Sequence, residues 1–147
     1  MKNRFTAIII LLLFAWMGIM VYLSNQPGLE AMPFLQKLKL LPDISDKDLS
    51  DDLEYIVRKS AHLVEYAILY ILVYFAASRA FFKKNELRLA KALLVGLILC
   101  FLFAISDEAH QFFVPSRDGR ISDIFIDMFG VLIGQGLVLL GVLVKQR

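Results

Sequence analysis

Residues 5–23 read FTAIIILLLFAWMGIMVYL, 19 positions from Phe5 to Leu23 without a charge. About 20 such residues carry a helix across the hydrocarbon of a bilayer, and Lys2 and Arg4 stand just before the run. A basic start followed by an apolar run also describes a signal peptide, but a signal core is usually about 7–15 residues long with small residues at its cleavage site. This run is longer, and more apolar blocks follow it. It therefore reads as a first membrane span.

Three further blocks have uncharged cores at Tyr66–Ser78, Ala92–Ser106 and Met128–Val144, of 13, 15 and 17 residues. Each is too short to cross a bilayer alone. The second reaches spanning length by drawing in His62 and Glu65, the third by including Asp107, Glu108 and Gln111, and the fourth by including Asp127 and Asp123. The predicted spans are 5–23, 57–80, 91–110 and 121–144, which make an all-α, integral membrane four-helix bundle. The composition agrees: 59% of the 147 residues are hydrophobic and the mean hydropathy is +0.66, against roughly 45–50% apolar residues in soluble domains. Four spans leave too few residues for a separate soluble domain, so residues 1–147 form one domain. A net charge of +2, with no cluster of Lys and Arg among aromatics, excludes nucleic acid as a partner. The lone Cys100, inside an apolar run, is expected to pack as a small apolar side chain.

Residues 24–56 form a polar connection. Within it Leu29, Met32, Phe34, Leu35, Leu38 and Leu41 beside Lys37 and Lys39 predict a segment, 29–41, lying on the membrane surface, although Pro33 interrupts a continuous helix there. Asp46–Glu54 reads as an acidic lead into the second helix, since carboxylates suit a helix N-terminus. The N-terminus, the C-terminus and the loop after the second span carry nine basic residues with one carboxylate, Glu86, and five of the nine stand in the compact stretch 79–91. The opposite side carries seven basic residues against at least as many carboxylates. The positive-inside rule then places both termini in the cytoplasm.

With that topology, the start of the second helix, the end of the third and the start of the fourth share the outer side. Lys59, His62 and Tyr66 fall on one face of the second helix, with Glu65 nearby, at i, i+3 and i+7. Asp107 and Gln111 are one turn apart on the third, with Glu108 beside them. Arg117 and Arg120 stand in the turn that follows, shaped by Pro115 and Gly119. Asp123, Asp127, Gly130 and Gly134 form one stripe on the fourth. Intramembrane carboxylates are costly, about 2.5–3.5 kcal/mol each at mid-bilayer and less near the interface, and mark functional sites by default. Lys59, Arg117 and Arg120 are the expected partners of Asp107, Glu108, Asp123 and Asp127 through charge-assisted bonds. The competing account is structural, with the charges pairing only to hold the helix ends together. Tyr66 and Tyr55 also suit an aromatic belt, and Gly130, Gly134 and Gly136 suit close helix packing. Trp16 reads as lipid-facing or packing.

The same residues resemble the VanZ-like family of small bacterial membrane proteins. The resemblance lies in Lys59-x-x-His62-x-x-x-Tyr66, in Ser106-Asp107-Glu108-x-x-Gln111, and in Pro115-x-Arg117 running on through Asp123, Asp127, Gly130 and Gly134. Ser24-Asn25-Gln26-Pro27 after the first span is similar as well, so that about residues 5–143 are covered. The family often has Asn where Asp127 stands, and an acid there adds a base or ligand. The resemblance implies a four-span protein of the bacterial cytoplasmic (inner) membrane, and the family's namesake is linked to teicoplanin resistance. It implies no established reaction.

Two functions follow as expectations. In the first, the protein binds or acts on a phosphate-bearing lipid or a lipid-linked envelope precursor. Lys59, Arg117, Arg120, Gln111 and Tyr66 would hold the phosphate or headgroup, and His62, Glu65, Glu108, Asp123 and Asp127 would serve as catalytic acid–base groups. Asp107 is assigned a structural polar role. In the second, it is a non-enzymatic membrane factor that binds a lipoglycopeptide or a partner protein. Oxygen ligands of this kind also suit Mg²⁺ or Ca²⁺, but the adjacent Lys and Arg make mutual neutralisation simpler, so no metal is assigned and no cofactor is specified. Charges gathered at one face argue against a transporter, which needs polar groups at several depths. Membrane lipids are the expected partners, and the glycine spacing is compatible with a homo-oligomer.

Overall fold

The computed structural model describes residues 2–25, 47–80, 88–114 and 120–146. All secondary structure among them is helical: α1 (Lys2–Ser24), α2 (Lys47–Ala80), α3 (Arg88–Gln111) and α4 (Ile121–Gln146). Each contains a stretch long and apolar enough to cross a membrane, namely Arg4–Ser24, Tyr55–Ala80, Arg88–Gln111 and Ile121–Lys145. The expected spans agree within a few residues. The main difference is that α2 runs on past its span as far back as Lys47, as the acidic lead allowed. The predicted surface segment 29–41 and Arg117 lie outside the described residues.

The chain runs up, down, up and down, so α2 and α4 are parallel to each other and antiparallel to α1 and α3. The α2–α4 pair is the most extensive helix contact and α2 also meets α3 and α1, which makes α2 the central helix. Its inward stripe is aromatic and branched: Tyr66, Leu69, Tyr70, Val73 and Tyr74 are all buried. On α3 the buried positions Ala92, Gly96, Cys100 and Ala104 recur every fourth residue, one face of a helix made of small side chains. Large side chains on one helix thus fill the groove left by small ones on the next. A Cβ on Gly96 would stand 2.8 Å from the Tyr70 ring, and Tyr70 Oη donates to the Leu93 carbonyl at 3.2 Å. Cys100 is fully buried in this groove, packing as expected.

The α2–α4 contact is closer still. A Cβ added to Gly130 would meet the Leu63 carbonyl oxygen at 2.5 Å, and one added to Gly134 the Ala67 carbonyl oxygen at 2.5 Å. Backbone packs against backbone here, the geometry small residues permit in membrane helix pairs. Gly136 differs from the sequence expectation: nothing lies within 4 Å of a Cβ there, because it points away from α2, two residues out of phase with the Gly130–Gly134 stripe.

α1 is held less tightly. The Trp16 indole N–H donates to the main-chain carbonyl of Glu65 at 3.1 Å, so Trp16 is a packing residue. The Arg79 guanidinium lies 4.5 Å from the Phe5 ring centre at the other end of the pair. Elsewhere the bundle presents a wide apolar exterior: Leu11 is 69% exposed, Phe125 72% and Leu140 58%. Such a surface is unsuited to water and suited to lipid.

Candidate functional site

At the end of the bundle where α1 and α3 finish and α2 and α4 begin, the polar stripes of three helices converge. The parallel register of α2 and α4 creates two layers. In the upper layer the Lys59 ammonium pairs with Asp123 Oδ2, while also lying 5.4 Å from the Tyr55 ring centre. Asp123 stands in the first turn of α4, where the helix dipole favours a carboxylate. Its main-chain N–H donates to the Arg120 carbonyl at 2.8 Å.

About one helical turn deeper, three residues along α2 and four along α4, or roughly 4.5–6 Å at 1.5 Å per residue, His62 Nδ1 and Asp127 Oδ1 are 3.1 Å apart. Asp127 is fully buried. A carboxylate accepts, so Nδ1–H donates, and the bond selects the tautomer that leaves Nε2 as the nitrogen able to take up or deliver a proton. Below this layer comes the glycine contact, so the close approach of α2 and α4 at Gly130 brings His62 within reach of Asp127.

α3 supplies the third wall. Asp107, Glu108 and Gln111 are all buried. Gln111 Nε2 donates to Asp107 Oδ2 at 3.0 Å, a bond within one turn of the helix. The main-chain N–H of Arg120 donates to Glu108 Oε2 at 2.9 Å. Glu108 therefore caps the first turn of α4 from another helix, satisfying one of the donors every helix N-terminus leaves open. Asp107, Glu108, Asp123 and Asp127 lie near enough to interact electrostatically, and Asp107 and Glu65 both act on His62 in the same way.

Among the described residues Asp123 has as its partner Lys59, one of the cations expected to hold the carboxylates. Asp127 is held by His62, Glu108 by a main-chain amide and Asp107 by a glutamine. Tyr66 is no belt residue. It is fully buried, its ring 6.2 Å from that of Phe103, whereas Tyr55 is 48% exposed. A further tie escaped the sequence reading: His110 Nε2 lies 2.8 Å from Asn25 Oδ1 and joins the ends of α3 and α1. Nothing in the spacing of His110 marks it, because its partner is 85 residues away.

Three oxygens of this cluster are buried with no hydrogen-bond partner among the described residues: Tyr66 Oη, Glu108 Oε1 and Asp127 Oδ2. Buried polar atoms are ordinarily satisfied, which makes these three exceptions. Among the described residues no group of three or more His, Cys, Asp or Glu side chains is arranged to hold a metal ion.

Fold and site together define a multi-pass membrane protein with its charged side chains gathered inside one end of a four-helix bundle. A model of the VanZ/LLP1 family matches residues 9–143. The chain belongs to that family. No curated protein and no solved structure is detectably similar to it.

Proposed function

We propose that the protein works in the bacterial cytoplasmic membrane, with both termini inside, and that its polar end binds or acts on a phosphate-bearing lipid of the outer leaflet or a lipid-linked envelope precursor. The observation that carries this reading is the buried polar cluster at one end of a bundle whose exterior is apolar, since ionisable groups at the end of a span would stand near lipid headgroups. Lys59 has three ammonium donors and uses one direction for Asp123, so it retains donors for a phosphate oxygen. Arg120 is a further cation, and Arg117, three positions before it in the sequence, is another. Gln111 and Tyr66 are the neutral groups of the same cluster. His62 is oriented through Asp127, and with Glu65, Glu108 and Asp123 it supplies the acid–base capacity that transfer at a phosphate ester requires.

Complementation of a deletion strain tests this reading. Glu108→Gln keeps an oxygen for the Arg120 amide but removes the charge, and His62→Ala removes the proton-transfer nitrogen. Both are expected to fail to complement while the Glu108→Gln protein accumulates and inserts normally. Full complementation by both, with loss only on deleting 29–41, would favour a binding factor that uses the surface segment instead. Change in teicoplanin susceptibility is a second readout in the same strains. The orientation has its own check, since a reporter fused beside Lys83 is expected to report from the cytoplasm, and an external signal would overturn it.

A further inference from the structure

The end of the bundle opposite the polar cluster is basic. α1 begins there with Arg4, α2 ends with Arg79, α3 begins with Arg88 and Lys91, and α4 ends with Lys145. Arg88 is half-buried and the other four are exposed. Among the described residues the carboxylates stand towards the other end, and none of them pairs with these five cations. Over this whole end the sequence sets one carboxylate, Glu86, against nine basic residues. Like charges gathered in this way repel one another, and an anion from outside the bundle relieves the repulsion. The packing also gives the cations a defined arrangement. The Arg79 guanidinium lies 4.5 Å from the Phe5 ring centre, which holds it against α1 next to Arg4. A guanidinium against an aromatic ring keeps a fork of N–H donors that matches two phosphate oxygens. Gly96 faces the Tyr70 ring. From there Arg79 is nine residues along α2 and Arg88 eight back along α3, about 13.5 and 12 Å at 1.5 Å per residue, so the two stand within a turn of one level. One turn deeper in the bundle than Arg79 is Phe75, and one turn deeper than Arg4 is Ile8, both exposed. Cations with exposed apolar side chains beneath them have the layout of a lipid, a charged head above its chains.

We propose that this basic end binds an anionic phospholipid of the leaflet it stands in. Arg79 and Arg4 hold the phosphate, Arg88 adds to the charge, and the acyl chains lie along Phe5, Ile8 and Phe75. The site is on the outside of the bundle, so it needs no opening between the helices. It is separate from the polar end where Lys59 meets Asp123, and it does not depend on the function proposed there.

The test is native mass spectrometry of the full chain in a mild detergent, titrated separately with phosphatidylglycerol and phosphatidylcholine of identical acyl chains and with glycerophosphoglycerol, the anionic headgroup without chains. One cation near a membrane surface is equivalent to about fivefold in binding an anionic lipid. Phosphatidylglycerol is therefore expected to bind at least about twentyfold more tightly than phosphatidylcholine, the effect of two such cations. Arg79→Gln is expected to lower that preference about fivefold. Arg88→Gln leaves the Arg79–Phe5 contact in place and is expected to lower it by a similar factor, so a shift of α1 cannot account for both losses. Glycerophosphoglycerol is expected not to bind over the same concentrations. Equal binding of the two lipids would overturn the inference. A preference that survives Arg4→Gln, Arg79→Gln and Arg88→Gln together but is lost in Lys59→Ala would overturn it and move the anionic lipid to the opposite end. Glycerophosphoglycerol binding as tightly as phosphatidylglycerol would overturn it in favour of a site for free phosphate esters.

Discussion

His62→Ala is expected to destabilise the bundle more than Asp127→Ala, although the two side chains share one bond. Asp127 is fully buried, and His62 Nδ1 is the partner that its Oδ1 has in the structure. Removing His62 strands a carboxylate inside the helix bundle, and breaking a buried pair in this way costs about 3–5 kcal/mol. Removing Asp127 strands only a histidine, whose side chain keeps 15% exposure, and a neutral group left unsatisfied costs about 1–3 kcal/mol. The double substitution is expected to fall between wild type and His62→Ala, because both halves of the pair are gone. Unfolding in mixed micelles, with denaturant midpoints for the four proteins, measures this order. Equal losses in the two single variants would mean that Asp127 finds another partner when His62 is absent.

The second large effect is expected at the glycines. Gly130→Ala and Gly134→Ala each force a methyl to 2.5 Å from a main-chain oxygen of α2, and a backbone atom cannot swing aside as a side-chain tip does. α2 and α4 must part, at about 1–3 kcal/mol for each overpacked site. Because the two sites share one helix contact their effects couple, and the first alanine that separates the helices makes the second cheaper. Separation also pulls His62 from Asp127 and Lys59 from Asp123, so these changes are expected to weaken the polar end as well as the fold. Gly136→Ala is the control. It meets nothing within 4 Å, and alanine favours a helix over glycine by about 1 kcal/mol, so its melting midpoint is expected to hold or rise. A loss for Gly136→Ala equal to that for Gly134→Ala would argue against the α2–α4 approach as the source.

The spans were legible because each depends only on local composition: 19 uncharged residues in Phe5–Leu23 and shorter cores that need polar ends. The stripes were legible too. Lys59, His62 and Tyr66 on one helix, and Asp123, Asp127, Gly130 and Gly134 on another, follow from 3.6 residues per turn, and the structure faces these stripes against each other. What local periodicity lacks is register between helices. It could not say that Lys59 meets Asp123 while His62 meets Asp127, since both pairings depend on how far α4 slides along α2, which the glycine contact sets. Nor could it show that Glu108 is held by a main-chain amide, because amides have no sequence signature. The small-residue stripe Ala92, Gly96, Cys100 and Ala104 is periodic and could have been found. Its meaning emerges only beside the Tyr66–Tyr70–Tyr74 face it accommodates, and the same holds for Gly130 against Leu63.

The central claim, that the polar end of the bundle serves a phosphate-bearing envelope lipid, meets its most direct test in untargeted lipidomics of a deletion strain. The strain is expected to shift the pool of a phospholipid or a lipid-linked intermediate. Wild-type protein is expected to restore that pool and Glu108→Gln, at equal membrane level, to leave it shifted. Phospholipids and lipid-linked intermediates that stay unchanged on deletion would contradict the account.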